Sequence, residues 1–358
     1  MRFPGKDRAM ATSKPIAVGI LGYGRAGHGM QAEELKERKE KFRITAVCDI
    51  LEERRAAAQA SHGCKTYARY EEMLADPDIE LITIATRSCD HYEHARKALL
   101  ARKIVFVEKP MTATLAEARR LRALAARHHD ALFVRHNRRF EPVFQHVREI
   151  IASGLLGDVF EIKLRRHSFQ RRDDWQTLLR FGGGQLLNWG PHIIDHALQF
   201  LQTPPVSLWS DLKRVAAVGD AEDHIKIVLR NAQGLVVDLE ISGGTAISEP
   251  QYLVCGSRGA LTASGNQIRL RYLDPKRRLP PRKVNPGTPE GGFGSPETLP
   301  WIEQEFEAAP KGKAGMTLIW DFLYDTIRKG VPFPITLDEA VAVLEVIHQA
   351  RKGTPFEI

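Results

Sequence analysis

The sequence predicts an α/β chain in two parts: a doubly wound parallel sheet, then an α+β domain on a large, mainly antiparallel open sheet. Three observations predict it. Up to about residue 140, short apolar runs alternate with helix-compatible stretches, as parallel strands joined by right-handed crossovers do. A glycine cluster closes the first apolar run. Beyond residue 140, strand candidates follow one another directly, which favours antiparallel pairing.

The elements follow in order. Residues 1–14 are polar and aperiodic, so a loose tail is expected. Ile16–Leu21 is a continuous apolar run, the mark of a strand buried on both faces. A helix is expected over 26–40, and a second strand over 44–48 with Asp49 at its end. Strands over 81–85 and 104–107 repeat the theme, with helices near 52–61, 91–101 and 115–128. The last opens on Thr114-x-x-Glu117, a capping box whose hydroxyl and carboxylate satisfy free amide donors. A helix near 142–152 ends at Ser153-Gly154, and strands are expected over 158–167, 206–216, 223–230, 234–242, 251–256 and 267–273. Asn231–Gly234 reads as a hairpin turn. Residues 274–311, rich in Pro and Gly, read as a long loop; helices return over 316–329 and 337–351. The expected division is 15–136, 137–330 and a helical segment 331–358 that packs back on the first domain.

Composition excludes several classes. With 43% hydrophobic and 27% charged residues, the 358-residue chain is globular and not disordered. No apolar run approaches the ~18 residues of a membrane span, and no secretory signal is expected, since no apolar run follows the basic opening residues. The net charge of +8 is dispersed among acids, as on solvated helix faces, and no nucleic-acid motif accompanies it. The four cysteines form no C-x-x-C pair, which fits a reducing, cytoplasmic setting without disulfide framework or cysteine zinc site.

Three motifs carry chemistry. Gly22-Tyr23-Gly24-Arg25-Ala26-Gly27 follows a strand and opens a helix. There, glycines permit a tight turn and close approach of a pyrophosphate, whose charge the helix N-terminus attracts. Asp49 lies 22 residues after Gly27, near the ~20 expected of an acid that accepts from a ribose hydroxyl and repels a 2′-phosphate. The motif therefore points to NAD over NADP, with Arg54 and Arg55 expected too far along their helix to reverse that preference. Glu108-Lys109-Pro110 ends another strand, at the carboxyl edge where ligands bind in such sheets. The third motif runs from Gly182-Gly183-Gly184 through Asn188-Trp189-Gly190-Pro191-His192 to Asp195-His196. Pro191 suits a first helical turn, and His192, Asp195 and His196 share one helix face. His192–His196 also approximates a zinc-binding H-x-x-E-H, but no third ligand can be named and no metal is expected.

Taken in order, these motifs resemble the Gfo/Idh/MocA oxidoreductases, named for glucose–fructose oxidoreductase and inositol dehydrogenase. Thr86 with His91, Asn137-Arg138-Arg139-Phe140 and Gly154-Leu155-Leu156-Gly157 support the resemblance, which covers roughly residues 15–355. It implies a Rossmann domain and an NAD-dependent dehydrogenase of a sugar, cyclitol or related polyol, assembled as a homodimer or homotetramer through the open sheet. Lys109 and His192 are carried over as catalytic residues. The glycine-loop residues, Asp49, Thr86, His91 and Glu108 are expected at the cofactor.

His192 is expected as general base and Lys109 as the group that polarises the reacting oxygen. Asn188, Asp195, Arg138, Trp189 and Arg172 are expected at the substrate. Arg171-Arg172 would suit a carboxylate or phosphate; alternatively, Asp173-Asp174 neutralise them.

Two departures stand out. Arg87 replaces the family's usual Pro, and Asn188 stands where an acid usually precedes the histidine by four residues. Two other readings follow. The resemblance also covers glycosidases that use bound NAD transiently, which would release reducing sugar without added NAD. Asn188 would also fit a non-catalytic NAD-binding regulator.

Overall fold

Six parallel strands in the order β3-β2-β1-β4-β5-β6 form the first sheet of the computed structural model, which describes residues 14–288, 291, 294 and 296–357. They are β1 (Ile16–Leu21), β2 (Phe42–Cys48), β3 (Lys65–Tyr67), β4 (Leu81–Ile84), β5 (Ile104–Glu108) and β6 (Leu132–Arg135). The order reverses between β1 and β4, which places a crevice at their carboxyl ends. β3 and β6, too short for a periodicity to register, are additions to the expected strands. The expected tail lies, apart from Lys14, outside the described residues.

The expected helix over 26–40 is shorter and wider. Residues 27–32 wind with i→i+5 bonds, Gln31 N–H donating to Ala26 O at 2.9 Å, and one α-turn follows over Glu33–Lys36. The capping box at Thr114 and Glu117 forms as expected.

The second sheet has eight strands in the order β14-β13-β12-β11-β7-β10-β9-β8. They are β7 (Val159–His167), β8 (Ser207–Lys213), β9 (His224–Arg230), β10 (Val236–Ser242), β11 (Tyr252–Gly256), β12 (Gly259–Ser264), β13 (Gln267–Leu273) and β14 (Trp301–Glu307). Every neighbouring pair is antiparallel except β7 with β10. The expected loop 274–311 thus contains strand β14, whose alternation of Glu with Ile302 and Phe306 was masked by the surrounding prolines.

Helices Gly190–Leu201 and Leu337–Arg351 cover one face of this sheet; the latter also packs on Leu115–Arg127 of the first domain. One apolar core therefore runs through both domains. A second core lies on the other face of the first sheet, where Trp320 stacks edge-on against Phe42 and Phe106. Its helix, Leu318–Lys329, falls in the expected second domain but packs on the first. The open face of the second sheet carries cross-strand ion pairs such as Arg165–Asp238 and Lys226–Glu240. No helix is long and apolar enough to cross a membrane, among the described residues.

Candidate active site

A cleft of about 1250 Å³ opens at the carboxyl edge of the parallel sheet and runs between the two domains. Its first wall is the glycine loop after β1. Gly22 has φ +85°, and a Cβ there would sit 2.9 Å from Ala85 O; at Gly27 it would sit 1.9 Å from Gly22 O. Any side chain at Gly27 would push the helix off the strand. Gly24 faces outward, its nearest neighbour being Arg54 Nη1 at 3.3 Å from a Cβ position. The loop thus offers bare backbone to the cleft.

Asp49 borders the cleft at the end of β2. Its Oδ2 accepts from Tyr23 N–H at 2.7 Å and its Oδ1 from Leu51 N–H at 3.0 Å. Arg54 stays beside the acid: its Nη1 reaches Asp49 Oδ2 at 3.4 Å and its guanidinium lines the cleft. Arg55 instead binds the carbonyls of Asp49 and Ile50. Arg54 lies in the first turn of the helix Glu52–His62, close enough for its long side chain to reach back to the strand end.

Thr86, His91 and Glu108 line the cleft from β4, its following helix and β5. Both nitrogens of His91 meet backbone carbonyls, Pro110 at 2.7 Å and Thr86 at 3.2 Å, tying the Lys109-Pro110 segment to the strand beside it. The Lys109–Pro110 peptide is cis. Glu108 Oε1 is taken by Gln31 at 2.9 Å and Arg135 at 3.3 Å.

Lys109 crosses the cleft. Its Nζ donates to Asn188 O at 2.8 Å and lies 3.4 Å from Asn188 Oδ1. Burial pushes its pKa down to about 8, with Arg25, Arg138 and Arg135 adding to the effect and Glu108 opposing it. His192 sits one turn beyond Asn188, on the helix that follows the glycine run. Burial holds its pKa well below the ordinary value, and Lys109, Arg138, His136 and His196 press the same way. The imidazole is therefore neutral and ready to accept a proton. A hydroxyl entering between His192 and Lys109 would meet a base and a cation together.

The other expected substrate residues divide. Trp189 lines the cleft between two guanidinium groups, Arg138 at 4.3 Å and Arg166 at 3.9 Å from its centroid. Arg138 also pairs with Glu141. Arg172 lines the cleft, but Asp174 binds it through both oxygens and Gln176 Oε1 at 2.6 Å. Asp195 is not at the cleft: both oxygens bind Arg139, one at 3.0 Å, and the residue is 2% exposed. Burial raises its pKa, yet Arg139 outweighs this and leaves it lowered. His196 stacks on Phe144 and bonds Arg138 O at 3.0 Å. Helical spacing put these residues on one face, but a face spans both cleft and core.

Several residues outside the expected site set also enter here. Gln176 reaches Asn188 Oδ1 at 3.4 Å. Arg87 stacks on Phe181 at 4.2 Å, bridging the domains where the family has Pro. Buried Glu222 accepts from Leu186 N–H at 3.1 Å and pairs with Arg351. Gly184, with φ +99°, makes room for it. Only Arg87 carried a sequence signal, as a departure from the family pattern. No cluster of three or more His, Cys, Asp or Glu placed to hold a metal occurs among the described residues.

Comparison with known proteins agrees with this architecture. Residues 16–136 match a model described as an oxidoreductase family with an NAD-binding Rossmann fold. Residues 144–262 match a model of the GFO/IDH/MocA C-terminal domain. The chain is 26% identical to a scyllo-inositol 2-dehydrogenase (NADP(+)) of Bacillus subtilis, over 95% of this chain and 94% of that protein. An uncharacterised oxidoreductase of Schizosaccharomyces pombe is 32% identical over 70% of this chain and 71% of its own. An NAD-binding protein from Listeria innocua superimposes with a TM-score of 0.80 at 25% identity, covering 96% and 98% of the two chains.

Proposed function

The chain belongs to the Gfo/Idh/MocA oxidoreductase family, and we propose that it is a nicotinamide-dependent dehydrogenase acting on a CH–OH carbon of a neutral polyol, cyclitol or sugar. The observation that carries this reading is the meeting of Lys109 and His192, one from each domain, in a single cleft beside the glycine loop. The bare backbone at Gly22 and Gly24 and the acid at Asp49 fit a dinucleotide. When bound, the nicotinamide supplies hydride chemistry, and the protein supplies orientation.

His192, kept neutral by burial and nearby cations, takes the hydroxyl proton. Lys109 holds its ammonium against the same oxygen and stabilises the negative charge that develops there. Asn188 anchors Lys109 without neutralising it, so the cation keeps its full field. Trp175 offers an aromatic ring to the substrate, and Gln176 offers an amide.

Ion pairing at the substrate wall bears on the substrate's charge. Arg172 and Arg138, the two arginines expected at the substrate, are each answered by a carboxylate, Asp174 and Glu141. This supports a neutral substrate over a sugar acid or sugar phosphate. On the cofactor side, Asp49 favours NAD, while Arg54 beside it leaves NADP admissible. The chain assembles as a homodimer or homotetramer through the open face of the second sheet, where Trp209 is exposed; light scattering tests this.

The test of the activity is a panel of cyclitols, sugars and sugar acids, beginning with scyllo-inositol, followed by nicotinamide absorbance with NAD and NADP in parallel. On a confirmed substrate, Lys109→Ala and His192→Ala should each lower turnover by ~10²–10⁴-fold while cofactor binding persists. Near-wild-type turnover in His192→Ala would place the base elsewhere.

A further inference from the structure

A second buried histidine stands behind His192. His136 follows the last residue of β6, at the same carboxyl edge of the sheet. The bond from its N–H to Val134 O at 3.0 Å closes a tight three-residue turn centred on Arg135, where the chain leaves the sheet. The turn is pinned on both sides: Arg135 binds Glu34 and Glu108, and Arg139 binds Asp195. His136 is 1% exposed, yet neither of its ring nitrogens has a partner among the described residues.

The His192 ring stands nearly perpendicular to it, with centroids 6.4 Å apart. His192 Nδ1 is also enclosed without a partner, while Nε2 remains open to the cleft. Buried ring nitrogens are normally hydrogen-bonded, and here three lie on two neighbouring rings. We propose that His136 is a positioning residue for His192: it accepts the Nδ1 proton through a bridging water, fixing the tautomer whose bare Nε2 faces the cleft.

The separation suits one water between the rings. The acceptor also has to be neutral, and His136 is: burial pushes its pKa down to about 4. Asp195 and Glu339 favour its charged form, and Arg139 and Lys109 oppose it. The charged groups that act most on His192 are Lys109, Arg138, His136 and His196, all of which disfavour its protonated form. A neutral acceptor at Nδ1 thus selects the working tautomer without raising the basicity of Nε2 as a carboxylate would. His136 does for orientation part of what Asn188 cannot do for charge.

The proposal rests on the reading of His192 as the base, so its test needs a readout free of turnover. Carbethoxylation by diethyl pyrocarbonate attacks a bare, accessible imidazole nitrogen, and peptide mass spectrometry reads it at His192 in the cofactor-free full chain. His136→Phe keeps the ring's bulk and removes the acceptor; His136→Gln keeps an acceptor. His136→Phe should slow carbethoxylation of His192, and kcat on a confirmed substrate, roughly tenfold, the worth of one hydrogen bond to the wrong tautomer. KM and the melting temperature should hold, and His136→Gln should restore most of both rates. Wild-type carbethoxylation of His192 in His136→Phe overturns the proposal. Should that variant fail to fold, His136→Met replaces it with the same two outcomes. Full turnover in His192→Ala would instead overturn the assignment of the base, leaving the carbethoxylation result to judge the contact between the histidines.

Discussion

Asn188→Asp would place a negative charge where Asn188 Oδ1 now lies, 3.4 Å from Lys109 Nζ. At an effective dielectric of 20, unit charges at that distance attract by about 5 kcal/mol. The cleft is open and Lys109 is only partly covered, so screening reduces this to ~1–3 pKa units, at about 1.36 kcal/mol each. The sign follows from which form the carboxylate favours. It stabilises the ammonium, so the Lys109 pKa climbs from about 8 toward or beyond its ordinary value. It also stabilises an imidazolium, so the lowered pKa of His192 rises toward the ordinary 6.5. Turnover needs His192 neutral and Lys109 charged. In the unmodified protein, activity should fall as pH drops below the acidic His192 pKa and again as pH rises through about 8. In Asn188→Asp both limbs move to higher pH, the alkaline limb by ~1–3 units. The profile of kcat/KM reads both limbs. Acetylation of Lys109 against pH, followed on its peptide, reads the lysine without any substrate. An alkaline limb and a labelling midpoint that stay near pH 8 would refute this account of how Asn188 sets the charge of the site.

Three further outcomes are expected. Arg54→Ala should weaken use of NADP selectively while sparing NAD, and Asp49→Ser should narrow the gap between them, both read from KM values for the two cofactors. Gly27→Ala, whose Cβ would lie 1.9 Å from Gly22 O, should abolish dinucleotide binding or cost several kcal/mol of stability, read by calorimetry and denaturant unfolding. Asp195→Asn should destabilise the fold by ~1–3 kcal/mol, because Arg139 loses its buried carboxylate and keeps only Glu339; a variant altered only in KM would return Asp195 to the substrate.

Much of the site was legible before the fold. The glycine loop, Asp49, Lys109 and His192 sit at strand ends and helix starts, and those positions are set by hydrophobic periodicity over neighbouring residues. Arg172 was legible as a residue near the cleft, and so was its neutralisation by Asp174, since both lie within three residues. Asp195 was not. Its place on the His192 face was correct, but its partner Arg139 lies 56 residues earlier in the chain.

What the sequence determined by itself was therefore local and periodic: strand, turn and helix order, the family resemblance, and the residues that motifs carry at fixed offsets. Tertiary structure decided which of those residues are spent on one another. Arg54 joined Asp49, Arg139 took Asp195, and His136 came to stand behind His192 although 56 residues separate them. A charge's partner is settled by distance in space and by burial, and chain proximity fixes neither once strands from separate segments lie side by side. Register along a helix says which way a side chain leaves the axis. Whether it then meets solvent, substrate or another ion depends on what has packed there.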